Sequence, residues 1–149
     1  MKNKKKIITI CSSASFYRQV LETEAVLKEM GYLVLIPLTA NKMKKSGDFR
    51  VETYKTWFKD PKNYARKTFL TKHHFNKIVR GDAILVLNYE KNRVKGYIGG
   101  AVLCEMAIAL NFKKKIYVLN PIDKSCSYAE EIYAMQPIIL NGNLSLIKN

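Results

Sequence analysis

Four short runs of β-branched and aliphatic residues punctuate the chain: Ile7 to Cys11, Leu33 to Ile36, Ala83 to Leu87 and Lys115 to Leu119. A fifth, Ile138 to Leu140, lies between Pro137 and the turn pair Asn141-Gly142. These runs are continuous rather than alternating, the pattern of parallel strands covered on both faces. Helical spacing fills the gaps between them. Val20, Leu21, Ala25, Val26, Leu27 and Met30 form a stripe that ends at Gly31, a residue suited to closing a helix. Ala101 to Leu110 predicts a helix between the third and fourth strands, and roughly Tyr64 to Val79 another before the third. Alternating strands and helices joined by short connections predict an α/β domain with a doubly wound parallel sheet. Ligands of such sheets gather at the carboxyl ends of the strands, beside the topological switch point. That rim would carry Cys11-Ser12-Ser13, Asn88-Tyr89 and Asn120-Pro121.

One position breaks the pattern. From Ala101 to Leu110 every residue except Glu105 is apolar or cysteine. A helix apolar all round is expected to be buried, which would bury this carboxylate or set it in a cleft. The residues four before and four after it are Ala101 and Ala109, so its own helix offers no cation. Such a group finds donors elsewhere or takes up a proton, and active sites use that environment to poise an acid or a nucleophile. A structural glutamate bonded to backbone amides is the alternative. Gly96-Tyr97-Ile98-Gly99-Gly100 precedes the helix, and its free amides could receive an anion, although a simple turn explains the glycines as well. Ser12 and Ser13 could cap the first helix or hold a phosphate or hydroxyl.

Composition adds a bias and several exclusions. The 149 residues are one domain's length, here taken as a single domain over 1–149. Twenty-six Lys and Arg against 12 Asp and Glu give a formal net charge of +14, which favours anionic partners. Residues 42–80 hold twelve basic and three acidic side chains, interleaved with Phe49, Tyr54, Trp57, Phe58, Tyr64 and Phe69. This basic aromatic insertion, at about 40–65, could be a solvated segment, a lid over a phosphorylated ligand, or a stacking surface for single-stranded nucleic acid. The first two readings are favoured. Cys11, Cys104 and Cys126 lack C-x-x-C spacing, so they read as small core residues of a reducing, cytoplasmic compartment. Lys2 and Lys4 to Lys6 precede an apolar run too short for a signal peptide, and no stretch suits a membrane span. His73-His74 point about 100° apart on a helix, and no metal site is expected from them.

Three segments then carry a resemblance. Gly81-Asp-Ala-Ile-Leu-Val-Leu-Asn-Tyr89, Gly96-Tyr-Ile-Gly-Gly-Ala-Val-Leu-Cys-Glu-Met-Ala-Ile-Ala109 and Lys115-Ile-Tyr-Val-Leu-Asn-Pro121 resemble the nucleoside 2-deoxyribosyltransferase-like superfamily, which includes the 2'-deoxynucleoside 5'-phosphate N-hydrolases. The resemblance implies a flavodoxin/Rossmann-like sheet of five parallel strands in the order 2-1-3-4-5, and a homodimer or larger assembly. It puts the family's nucleophilic glutamate on Glu105 and its aspartate before the third strand on Asp82. The first loop, often Gly-Ser-x-Arg in the family, falls on Ser12-Ser13-Ala14-Ser15, so the glycine is replaced and the arginine is missing. The loop before the helix lacks the sugar-holding aspartate of deoxyribosyltransferases and offers Lys91, Arg93 and Lys95, which suit a 5'-phosphate.

The sequence thus supports a leading expectation: cleavage or transfer at the N-glycosidic bond of a nucleoside 5'-monophosphate. Glu105 would be the nucleophile, Asp82 would position the base or donate a proton, and no cofactor or metal is needed. Ser12, Ser13, Asn88, Tyr89, Lys95, Tyr97, Gly99 and Gly100 would hold the nucleotide or nucleoside. A non-catalytic nucleotide sensor, and more remotely a nucleic-acid-binding module, are the rivals.

Overall fold

A computed structural model describes residues 4–148, so Lys2 of the lysine-rich start lies outside the described residues. In chain order the elements are β1 (Ile7–Ser12), α1 (Tyr17–Glu29), β2 (Leu33–Leu35), α2 (Leu38–Ser46), α3 (Val51–Tyr54), α4 (Tyr64–Arg80), β3 (Ala83–Leu87), α5 (Gly100–Asn111), β4 (Lys115–Val118), α6 (Ala129–Ala134) and β5 (Ile138–Ile139). The five strands form one parallel sheet in the order β2-β1-β3-β4-β5. All five expected strands are present, and Gly31 sits after α1 with a φ of 95°, as a left-handed helix stop requires. The short helices α2, α3 and α6 have no counterpart in the hydrophobic spacing. Of these, α2 buries Ala40 and Met43 on one face, while α3 and α6 are only four and six residues long and depend on their surroundings.

Period-two alternation splits each central strand between two cores. Ile8 and Ile10 of β1, with Leu85 and Leu87 of β3, pack against Val20 and Leu27 of α1. Cys11, Ile84 and Val86 face the other way, against Ile78 of α4 and Val102 and Met106 of α5. Each central strand is therefore covered twice, which is why its sequence reads as an unbroken apolar run, whereas Leu33 of β2 and Ile138 of β5 are exposed at the edges.

The structure corrects the expected burial of α5. Val102, Met106 and Ala109 face the sheet, but Ala101, Cys104, Ala107 and Leu110 are exposed. The helix is apolar on both sides although only one side is covered within this chain. Cys104 is accordingly a surface thiol rather than a core residue, Cys126 is partly buried, and only Cys11 is fully enclosed. Among the described residues no helix is long and apolar enough to cross a membrane.

Two close contacts hold the carboxyl end of the sheet in shape. Asn88, fully buried after β3, accepts from the Asn120 backbone N–H at 2.8 Å and donates to the Asn120 carbonyl at 2.7 Å. Gly96 has a φ of 64°, and a Cβ there would lie 2.1 Å from the Pro121 carbonyl oxygen. The loop between β3 and α5 can therefore meet the loop after β4 only through a glycine. Gly96→Ala should lower unfolding stability by at least about 1–3 kcal/mol, read as a lower midpoint in urea melts. A midpoint unchanged from the parent would refute this contact.

Candidate active site

Strand order reverses between β1 and β3, and a cavity of about 620 Å³ opens at the carboxyl end of β1, on the side of that switch point. Ser12 and Ser13 come from the end of β1 and the loop beyond, and Tyr17 from the first turn of α1. Gly99, Gly100 and Glu105 belong to the start of α5, and His74 and Phe75 to α4. The basic aromatic insertion adds Val51, Tyr54, Lys55 and Trp57 to the wall, beside Leu38 and Thr39 of α2 and Leu70 and Thr71 of α4.

That insertion is built as a wall. Asp48 accepts from the Arg50 backbone at 2.9 Å, from its guanidinium at 3.1 and 2.9 Å, and from Thr53 Oγ1 at 2.8 Å. These bonds, the Arg50 side chain first, hold the Asp48 carboxyl well below the usual carboxylate range. Tyr54 donates to the Asp48 carbonyl, and Trp57 is buried with the Lys67 ammonium 5.6 Å from its ring centroid. On the outside, the Arg18 guanidinium lies 4.0 Å from the Phe49 ring centroid.

Among the described residues Glu105 is the only acidic side chain lining the cavity. It is partly accessible from the cavity, yet its Oε2 is enclosed and has no hydrogen-bond partner among the described residues. Burial pushes its carboxyl up to about 8, against weaker opposing effects from a hydrogen bond with Cys11 and the charge of Lys67. The thiol of Cys11 lies under the cavity, its Sγ 3.6 Å from His74 Nε2. Burial raises that thiol's pKa and pushes the His74 imidazole down to about 3, with Lys77 adding to the second effect. Burial and the neighbouring Glu105 likewise raise the Tyr17 phenol. A carboxyl, a thiol, an imidazole and a phenol thus meet here, all favoured in their neutral forms.

Positive charge faces this neutral floor. Lys55, Lys67 and Lys91 all line the cavity, and burial and the other two ammonium groups lower the pKa of Lys55. Lys91 Nζ donates to Ser13 Oγ at 3.0 Å and lies 5.1 Å from the Tyr97 ring centroid. The α5 helix begins at Gly100 with no side-chain cap, so the amides of its first turn add to the field felt by an anion.

Of the expected site residues, Glu105, Ser12, Ser13, Tyr97, Gly99 and Gly100 line this one cavity. The others need correction. Asp82 stands at the amino ends of the strands, where its Oδ2 accepts from the Ile7 backbone N–H at 2.8 Å. The length of β1, roughly 15 Å at strand rise, separates that edge from the cavity, so Asp82 is a turn residue and no partner of Glu105. Asn88 spends its side chain on the Asn120 backbone, and Tyr89 packs edge-on against Phe16 at 5.5 Å. Lys95 is exposed outside the cavity, and Arg93 occupies the tip of a left-handed turn with a φ of 63°. Of the three basic residues in that loop, only Lys91 reaches the site.

Sequence reasoning missed Tyr17, Lys55, Trp57, Lys67, His74 and Cys104 as cavity residues. Only the density of charge and aromatic residues in the insertion signalled any of them. His73 and His74 do diverge, His73 stacking on Phe69 at 5.6 Å while His74 turns into the core.

No protein-family model matches the chain, and no curated protein matches it in sequence. Among solved structures it is similar to a 2-deoxyribosyltransferase from the psychrotolerant bacterium Bacillus psychrosaccharolyticus. The identity is 16% and the TM-score 0.53, over 83% of this chain and 78% of that one. At that identity the likeness shows the fold: the α/β architecture and five-stranded parallel sheet of a 2-deoxyribosyltransferase.

The shifted groups make stability depend on pH. Glu105 holds its proton up to about pH 8 when folded but only to 4.5 as an ordinary carboxyl. Across that window the folded chain binds a proton that the unfolded chain releases, so stability falls as pH rises. His74 acts oppositely: between about 3 and 6.5 the unfolded chain binds the extra proton, and stability falls as pH drops. Glu105→Gln should therefore melt above the parent at pH 8 and above, and His74→Gln should lose less stability on acidification. Parallel melting-against-pH curves for parent and variants would contradict both shifts.

Proposed function

We propose that the protein cleaves or transfers at the N-glycosidic bond of a nucleoside 5'-monophosphate, with Glu105 as nucleophile. One observation carries the reading: a single enclosed carboxylate faces a cavity whose other charged side chains are the three cations Lys55, Lys67 and Lys91. An anionic ligand would neutralise that excess, and a phosphate near Lys91 and Ser13 would leave the sugar to reach toward Glu105. The likeness to a 2-deoxyribosyltransferase fold supports the same chemistry by analogy.

In the first step the Glu105 carboxylate attacks the anomeric carbon, and the bond from that carbon to the base nitrogen breaks with its electron pair leaving on the base. In the second, water or another base attacks the same carbon and the ester oxygen returns to Glu105. The departing base takes its proton from water or from a donor on the ligand side, because Asp82 lies at the far edge of the sheet. The oxocarbenium-like transition state places positive charge beside Glu105, which stabilises the ionised carboxylate when it is needed.

A second reading, a nucleotide sensor without turnover, draws on the high pKa of Glu105 and the lack of a second carboxylate in the cavity. Incubating the protein with nucleosides and their 5'-monophosphates, followed by chromatography for free base, separates the two. The enzyme reading expects base release from monophosphates, reduced on the order of 10³-fold or more in Glu105→Gln. Nucleotide binding without base release would favour the sensor. Attack requires the ionised form, so kcat/KM should climb with pH toward a plateau above about 8. Lys67→Met should displace that rise to higher pH, because the Lys67 charge favours the Glu105 carboxylate.

Lys91 tests the phosphate contact separately. Lys91→Ala should raise KM for the monophosphate at least tenfold while leaving any turnover of the free nucleoside unchanged, a pattern of lost charge-assisted binding worth about 1.5–3 kcal/mol. An equal effect on nucleoside and nucleotide would place the phosphate elsewhere.

A further inference from the structure

We propose that Cys11, His74 and Glu105 form a site for a thiophilic divalent cation of the zinc class, set into the floor of the cavity. The three come from different elements, the end of β1, the middle of α4 and the second turn of α5. One ligand atom from each, the Cys11 sulfur, a His74 ring nitrogen and a Glu105 carboxylate oxygen, lies within 4.8 Å of the other two. No other group of three such side chains comes together among the described residues.

The spacing of the first pair suits a metal. In a tetrahedral zinc site, bonds of about 2.3 Å to sulfur and 2.0–2.1 Å to nitrogen put these two atoms about 3.5 Å apart. Cys11 Sγ and His74 Nε2 are 3.6 Å apart. Glu105 Oε2 is enclosed and has no hydrogen-bond partner among the described residues, so no described donor occupies its lone pairs. Thiol, imidazole and carboxylate together match zinc, whereas magnesium and calcium prefer all-oxygen shells. Three protein ligands would leave a fourth position for water or a ligand atom, and Glu105 and His74 both line the cavity from which one could come. When the cation binds, the Cys11 S–H and Glu105 O–H bonds break, both protons pass to water, and a sulfur and a carboxylate-oxygen lone pair form the bonds to the metal.

The cation would occupy the carboxylate that the glycosyl-transfer reading uses as nucleophile, and would therefore silence that reaction. This consequence rests on that reading; the binding of the metal does not.

The test is titration of the purified, metal-free full chain with Co²⁺, followed by Zn²⁺ in competition with a chromophoric chelator. The site predicts one equivalent of Co²⁺ with a thiolate-to-cobalt charge-transfer band, displaced by Zn²⁺. Cys11→Ala and His74→Gln should each weaken Zn²⁺ at least about 100-fold, while Cys104→Ser, which removes the exposed thiol, should leave it unchanged. Absence of the band in the parent chain overturns the proposal whatever the variants do. So does a band that survives Cys11→Ala and disappears in Cys104→Ser. Base release is measured in the same samples: suppression by one equivalent of Zn²⁺ supports both ideas. A chain that binds metal at these residues but releases no base in either state overturns the glycosyl-transfer reading and leaves the metal site standing.

Discussion

Holding a carboxylate away from water costs free energy unless donors or cations replace its hydration. Here the replacement is incomplete: the Cys11 thiol and the Lys67 charge oppose the effect of burial only weakly, and Oε2 has no hydrogen-bond partner among the described residues. The rest of the cavity is organised around that deficit. Lys55, Lys67 and Lys91 stand where their charge reaches the cavity without forming an ion pair with Glu105, so the carboxyl stays poised rather than locked. A direct salt bridge would lower its pKa and tie up the oxygens that a substrate or a metal would meet.

The parallel sheet makes this arrangement affordable in structural terms, because it separates binding from support. At the carboxyl end, β1 stops at Ser12 and hands the chain to the loop before α1, while the Asn88–Asn120 clasp closes the ends of β3 and β4. At the amino end, Asp82 ties β3 back to Ile7. Two polar residues flanking the same strand thus do structural work at opposite edges, and the chemistry is left to α5, α4 and the insertion. Of the three helices missing from the sequence reading, α2 follows β2, α3 lies between α2 and α4, and α6 precedes β5.

The fold was largely legible because its signals are local. A continuous apolar run is a covered strand, and a stripe at helical spacing ending in Gly31 is a helix with a stop. Glu105 was legible for the same reason, since one charge among nine apolar or sulfur-bearing neighbours needs no partner to be noticed. Local reasoning failed where it had to pair distant residues. Cys11 and His74 are 63 positions apart and each has an ordinary structural explanation in isolation. The nearby His73 drew attention to a pair that never forms, because adjacent helical side chains diverge.

The sequence by itself determined the strand and helix skeleton, the excess of positive charge in the insertion, and the oddity of Glu105, since each follows from composition or period along one stretch of chain. Tertiary structure alone decided which groups surround that carboxylate. It removed Asp82, Asn88, Tyr89 and Lys95 from the site, and brought in Tyr17, Lys55, Trp57, Lys67 and His74. It also left the outer side of α5 uncovered, against the expectation that an all-apolar helix is enclosed. The physical reason is the same throughout: direction and burial of a side chain depend on which strand lies next to which, and that order is fixed by packing across the whole sheet rather than by any one segment.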